Sequence, residues 1–320
     1  SSAASDVYKR QIQIFRTMDG RINEISEPIE GCWISVVDPT ATELVELSQK
    51  YQIDLDLLKA PLDEEERSRI EVEDNYTLII VDVPITEERK EKNYFVTIPC
   101  GIILTELCLI TICLMDTPVL SNFKEGRVRN FWTYKKTRFI LQILFRNASL
   151  YLQYLRIIDK KSDEVEKQLH ISTKNQELIE LLELEKSLVY FSTSLRGNEL
   201  VLERLLKIEK IKQYPEDEEL LDDVIIENKQ AIEMSDIYSN ILSGTMDAYA
   251  SVISNNLNIV MKVLAVITIV MSIPTMIASF WGMNVPVPFA DSPFGFFGLV
   301  GVSLLLTVIG SIVLGKKKTF

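Results

Sequence analysis

Histidine occurs once in the 320 residues, at His170. It sits in "EVEKQLHIST" with no Cys or Ser motif beside it, so it reads as a solvated surface residue. No nucleophile elbow, phosphate loop or metal-hydrolase motif is found, and an enzyme is not expected. "GSIVLGKK" at 310–317 copies most of a phosphate loop, but Lys317 stands where the metal-holding Ser or Thr belongs. Cysteine is scarce: Cys32, Cys100, Cys108 and Cys113, none in a CxxC pair and three in strand-like apolar runs. They read as buried free thiols of a reducing compartment. Positive charge is short as well, with 34 Lys and Arg against 46 Asp and Glu and a net charge of −12, which argues against a nucleic-acid partner. No apolar run that could act as a signal peptide opens the chain. Residues 1–11, "SSAASDVYKRQ", are small, polar and aperiodic and read as a sequencing scar outside the fold.

The shortage of charge becomes extreme at the other end. After residue 257 there is one acid, Asp291, and four bases, Lys262, Lys316, Lys317 and Lys318. The 19 residues 263–281 and the 21 residues 294–314 carry no charge at all. Each is long enough for the roughly 20 helical residues that cross a hydrocarbon core. Between them, residues 285–293 hold no Lys or Arg, and a Lys-rich tail, residues 315–320, follows. The positive-inside bias places both termini in the cytoplasm and the loop outside. Trp281 then lies at the outer interface and Lys316, Lys317 and Lys318 at the inner one.

The first span contains few polar residues: Thr268, Ser272, Thr275 and Ser279. Their spacing puts them on one helical face, which continues downward through Ala265 and Met261 to Asn258. Such a stripe is either helix–helix glue or the lining of a pore, whose hydroxyl and amide oxygens meet a hydrated cation without trapping it. The stripe alone does not choose between them.

Residues 12–135 read as a mixed α/β domain. "GCWISVVDPTATELVELSQKYQI" is a strand followed by a helix, with a capping box at Thr40 and Glu43. "NYTLIIVDVPI" and "GIILTELCLITIC" are β-rich runs. Residues 136–213 read as a helical hairpin, with a break expected at "RGNE" near Gly197. Beyond Pro215, the acidic "EDEELLDD" opens a three–four apolar pattern at Leu221, Val224, Ala231, Met234, Tyr238, Ile241, Ala248 and Val252. This predicts one helix from about residue 217 to about 281, nearly 100 Å long at about 1.5 Å per residue. A lone helix of that length with an apolar stripe wants partners. The acids suit a helix N-terminus, or a weak oxygen-only site for a hard divalent cation.

"NIVMKVLAVITIVMSIPTMIASFWGMN" closely resembles the first membrane helix and Gly-Met-Asn motif of CorA-type magnesium transporters. "SGTMDAYASVISNNLN" is similar to the stalk below the membrane, and "ERSRIEVEDNYTLII" and "ILTELCLITIC" to the amino-terminal domain. The resemblance covers residues 12–320, loosely in the first half and closely from about 218. It implies an α+β multi-domain membrane protein: a cytosolic α/β domain, the hairpin, a stalk helix (216–257) continuous with a pore-lining first membrane helix (258–281), an outer loop (282–293), a second membrane helix (294–314) and a basic tail. Five copies form a funnel in the inner, or plasma, membrane, so the expected partners are other copies of the chain and the bilayer.

The resemblance places Asn258 at the inner mouth, Leu264 at an apolar gate, Thr275 higher up, and Gly282, Met283 and Asn284 at an outer oxygen ring. Because Asn258 and Thr275 belong to the stripe, the resemblance favours pore lining over glue. It implies passive Mg²⁺ influx, with cytosolic Mg²⁺ also acting as regulator through Asp223 and an acid near Glu87 or Glu88 of a neighbouring subunit. Two departures stand out. Ser272 replaces the apolar residue or Met of many relatives, and the outer loop lacks their Glu and keeps only Asp291. Met283 favours Mg²⁺ over zinc. The alternatives are Co²⁺, Ni²⁺ or Zn²⁺ transport, and a membrane-anchored scaffold or sensor that moves no ion.

Overall fold

The structure is a computed structural model that describes residues 12–89, 92–169, 175–208, 214–284 and 294–316. The chain divides into two units, residues 1–243 and 244–320. In the first, seven strands form one sheet: β1 (Ile12–Met18), β2 (Arg21–Ile25), β3 (Trp33–Val37), β4 (Arg69–Val72), β5 (Tyr76–Arg89), β6 (Lys92–Thr105) and β7 (Leu109–Cys113). Their order is β2-β1-β3-β7-β6-β5-β4. Among the described strands only β3 and β7 pair in parallel, Trp33 opposite Leu109. The other neighbours are antiparallel.

Alternation along the central strands builds a core on each face of the sheet. On one face Ile34, Leu78, Ile80, Ile110 and Ile112 pack with α1 (Ala41–Tyr51) and α2 (Leu55–Lys59). Thr40 caps α1 as expected: the Glu43 N–H donates to its Oγ1 at 3.3 Å, and the Thr40 N–H donates to the Glu43 carboxylate at 2.8 Å. On the other face Trp33, Ile79, Val81, Val83 and Ile102 meet α3 (Pro118–Lys124), α4 (Lys136–Leu169), α5 (Asn175–Leu205) and the start of α6 (Pro215–Trp281). Trp33 is fully buried among Phe15, Phe123 and Phe139, and its indole N–H donates to Thr111 Oγ1 at 2.9 Å. All four thiols are free and buried.

The expected helix break at Gly197 is not there. α5 runs unbroken through it, and residues 170–174 between α4 and α5, His170 among them, lie outside the described residues. A mid-helix Gly costs about 1 kcal/mol relative to Ala. Here it allows contact: a Cβ at Gly197 would lie 3.2 Å from Ser68 Oγ. The neighbouring Asn198 is buried and bonds to β5, so Gly197 and Asn198 face the sheet while Arg196 stays exposed.

α6 is a single 67-residue helix, as its pattern predicts. In the first unit it buries Leu221, Val224, Asn228, Ala231, Ile232, Ser235 and Leu242. Ile226, Ile237 and Ile241 remain exposed. The second unit holds the apolar part of α6 and α7 (Gly295–Lys316), two helices long and apolar enough to cross a membrane.

Candidate functional site

Within the second unit the two helices show which face of α6 is occupied. From residue 251 on, the partly covered residues of α6 are Val266, Val270, Ile273, Pro274, Ile277 and Trp281, and those of α7 include Ser303, Thr307 and Gly310. Gly310 lies where a Cβ would be 3.1 Å from Ile273 Cδ1, so absence of a side chain lets the helices approach. At about 100° per residue, the covered face of α6 lies about 180° from Thr268, Ser272, Thr275 and Ser279. Those four, with Asn258, Met261, Leu264 and Ala265, are exposed in the single chain. The hydroxyl stripe is therefore not glue between the two spans of one chain.

The hydroxyls are already oriented. Thr268 Oγ1 donates to the Leu264 carbonyl at 2.9 Å, Ser272 Oγ to that of Ile269 at 2.7 Å, and Thr275 Oγ1 to that of Met271 at 3.2 Å. Each proton is used within the helix, so each oxygen keeps lone pairs for an outside donor. Pro274 has no N–H, which frees the Val270 carbonyl from its usual helical bond. The helix ends at Trp281, and the Gly282 N–H closes its last turn on the Ala278 carbonyl at 3.0 Å. Met283 and Asn284 leave it as exposed residues. The loop 285–293 with Asp291, and Lys317 and Lys318, lie outside the described residues, and Lys316 is the last residue of α7.

In the first unit Asp223 is exposed on α6, three residues before Ile226 on the uncovered side of that helix. Glu88 is exposed and Glu87 partly covered near the end of β5. Among the described residues no three Asp, Glu, His or Cys side chains converge as a metal cluster.

Two polar groupings were missed in the sequence. At the N-terminus of α6, Arg138 Nη1 lies 3.3 Å from Asp217 Oδ1 and 3.3 Å from Glu216 Oε2. Asp217 is only 4% exposed. Burial lifts its carboxyl above the usual range although Arg138 pulls the other way. The second grouping surrounds Asp82 on β5, between the sheet and α4 and α5. Burial raises the Asp82 carboxyl to about 6. Its only sequence signal was the placement of Asn147, Ser194 and Asn198 on otherwise apolar helix faces.

The family described as "CorA-like Mg2+ transporter protein" matches residues 30–317. A cobalt/magnesium transport protein CorA of Methanocaldococcus jannaschii is 29% identical over 307 residues, which are 91% of this chain and 92% of that protein. The complete structure of the CorA magnesium transporter from that organism superposes with a TM-score of 0.82 at 24% identity, covering 97% of this chain and 98% of the other. The full-length CmaX protein shares the fold at a TM-score of 0.69 and 15% identity, covering 95% and 97%. This is a family of transporters and not of enzymes, and the apolar parts of α6 and α7 are its two membrane helices. On the family match and the full-length agreement in fold, this chain belongs to the CorA-like Mg²⁺ transporter family.

Proposed function

We propose that five copies of this chain form a channel for passive Mg²⁺ influx, with the hydroxyl stripe of α6 lining the pore. The observation that carries this reading is the direction of the stripe. Thr268, Ser272, Thr275 and Ser279 face away from α7 and lead toward Gly282, Met283 and Asn284. Two helices enclose no pore, so the stripe needs further copies. The exposed Ile226, Ile237 and Ile241 on the stalk are apolar surface that neighbours would cover. The shortage of bases in residues 285–293 and their abundance at Lys316–Lys318 support cytoplasmic termini.

Mg²⁺ sheds water reluctantly, so the pore handles it hydrated. The Asn284 amide oxygen and the Gly282 carbonyl accept hydrogen bonds from its water shell at the outer mouth. The outward lone pairs of Thr268, Ser272 and Thr275 serve the same shell along the pore. None of these groups carries a charge, so none makes a deep well. Leu264 forms an apolar ring near the inner end that closes by dewetting. Asp223 of one subunit and Glu87 or Glu88 of the next hold cytosolic Mg²⁺ through carboxylate oxygens, the ligands this hard ion prefers. The bridge holds the pore closed, and its loss lets the stalks separate.

The name of the Methanocaldococcus relative favours Co²⁺ as a second substrate. The hydroxyls of Thr268, Ser272, Thr275 and Ser279 offer hard oxygen rather than thiolate or imidazole, which suits Mg²⁺ better. Flux of Mg²⁺, with Co²⁺ and Zn²⁺ as competitors, into liposomes containing the purified protein tests the reading. Absence of flux from a well-folded pentamer refutes the channel. Asn284→Ala lowers Mg²⁺ flux and discrimination, and unchanged behaviour refutes its place in the outer ring.

A further inference from the structure

The four free thiols form two pairs, one on each face of the sheet. Cys100 and Cys113 stand opposite each other on β6 and β7, in the core covered by α3 and α4. Cys32 and Cys108 each sit one residue before the parallel pair Trp33 and Leu109 that starts β3 and β7. Both point into the other core, under α1 and α2. Backbone bonds hold them abreast: the Gly31 N–H donates to the Leu107 carbonyl at 2.7 Å, and the Leu109 N–H to the Cys32 carbonyl at 3.1 Å. Neighbouring strands lie about 4.8 Å apart. That falls inside the Cα separations of about 4.4–6.8 Å that a disulfide spans.

The turn between β6 and β7 fixes Cys108 further. Its N–H donates to Thr105 Oγ1 at 3.0 Å, its carbonyl accepts from the Thr105 N–H at 3.0 Å, and its Sγ lies 3.5 Å from Thr105 Oγ1. Tyr51, at the end of α1, buries its hydroxyl beside the two sulfurs, with no oxygen or nitrogen partner among the described residues. Burial pushes its phenol up and the sulfurs push the same way, so it stays a donor. The two thiols are unequal. A hydrogen bond from Cys108 lowers the Cys32 thiol, with Arg16 adding to the effect, while the same bond and burial raise Cys108. Both sulfurs are buried, but Ile29, Glu30, Glu106 and Leu107 just outside them are exposed. Opening of these turns uncovers the pair without opening the core under α3 and α4.

We propose that Cys32 and Cys108 are an oxidation site: a hydroperoxide converts the pair into a disulfide that joins the start of β3 to the start of β7. The Cys32 thiolate attacks one peroxide oxygen, the O–O bond breaks, and the other oxygen leaves with a proton as water or an alcohol. Cys32 becomes a sulfenic acid, and the Tyr51 hydroxyl donates to its oxygen. The Cys108 sulfur then attacks the Cys32 sulfur; its proton and the sulfenic hydroxyl leave as water, and the S–S bond forms. The two thiols give up two electrons, and the peroxide takes both. Because the register already holds the residues abreast, the bond forms without a shift of strands. It ties residues 32–108 into one loop and so stabilises the first unit by restricting its unfolded state.

The test treats the full-length protein in detergent with a small excess of hydrogen peroxide. Remaining thiols are alkylated in denaturant, and the peptides are mapped by mass spectrometry without reduction. A link between the Cys32 and Cys108 peptides is expected, removed by dithiothreitol, with Cys100 and Cys113 alkylated. Four alkylated thiols, or a link between Cys100 and Cys113 instead, overturns the proposal. The linked protein is expected to melt at higher temperature than the reduced one; a lower melting temperature overturns the claim that the register accommodates the bond. A dione probe for sulfenic acid reads the order of events: Cys108→Ala is expected to carry the label at Cys32. Label at Cys108 in Cys32→Ala, with none at Cys32 in Cys108→Ala, overturns that order. Tyr51→Phe keeps the packed ring, so it serves even where a cysteine variant does not fold. It is expected to give less linked protein at the same peroxide dose, and an unchanged yield overturns the part assigned to Tyr51.

Discussion

Arg138→Met and Asp217→Asn cut the same ion pair from opposite ends, and the structure predicts unequal losses. At 3.3 Å and an effective dielectric of about 20, the gross attraction is about 5 kcal/mol. Desolvation of Asp217 offsets much of it, since the carboxyl stays above its usual range even beside the guanidinium. Arg138→Met leaves Asp217 buried without its cation and Glu216 beside it, at a cost of about 3 kcal/mol. Asp217→Asn removes the buried charge, keeps the shape, and costs about 1 kcal/mol. For a unit of this size the first corresponds to a fall of about 6–12 °C in melting temperature. A pH signature follows. An acid whose folded-state value is raised favours the folded state as pH falls, and loses that advantage as pH rises through the folded value. The Arg138→Met deficit should therefore shrink as pH falls, because loss of the cation raises the Asp217 carboxyl further and the folded variant takes up its proton more readily. Thermal melts of the full-length protein at several pH values measure both effects. A loss in Asp217→Asn as large as that in Arg138→Met, or a deficit in Arg138→Met that ignores pH, refutes the reasoning.

Two further outcomes are expected. Asp223→Ala weakens inhibition by cytosolic Mg²⁺ and leaves the open pore conducting; an unchanged dose–response in liposome flux places the sensor elsewhere. Gly101→Ala destabilises the first unit by about 1–3 kcal/mol, because a Cβ there overlaps the Pro61 ring. Its melting temperature should fall, and Pro61→Ala in the same chain should restore part of the loss.

The α6 helix was legible because its signals are local. An apolar three–four period, an acidic first turn and a charge-free stretch depend on the chain alone. Thr40 and Glu43 announced the start of α1 in the same way. The Gly197 expectation failed because local reading treats a polar stretch as a surface break. Ser68, on a distant segment, makes it a buried contact instead. Asp82 was passed over as one polar residue in an apolar strand. Its setting comes from α4 and α5 residues 65 to 116 positions away.

The spacing of Thr268, Ser272, Thr275 and Ser279, the lack of charge in two spans and the Gly-Met-Asn motif are covalent facts, so the sequence alone determined the membrane helices, the polar stripe and the family. The direction of that stripe was beyond it. Helical periodicity gives angles about one axis and says nothing of where a second axis lies. Packing of Gly310 against Ile273 supplied that axis and put the hydroxyls on the far side. Burial works likewise: only the closing of α4, α5 and α6 over the sheet made Asp82 and Asp217 costly charges, because desolvation is a property of the assembled surroundings and not of the residue.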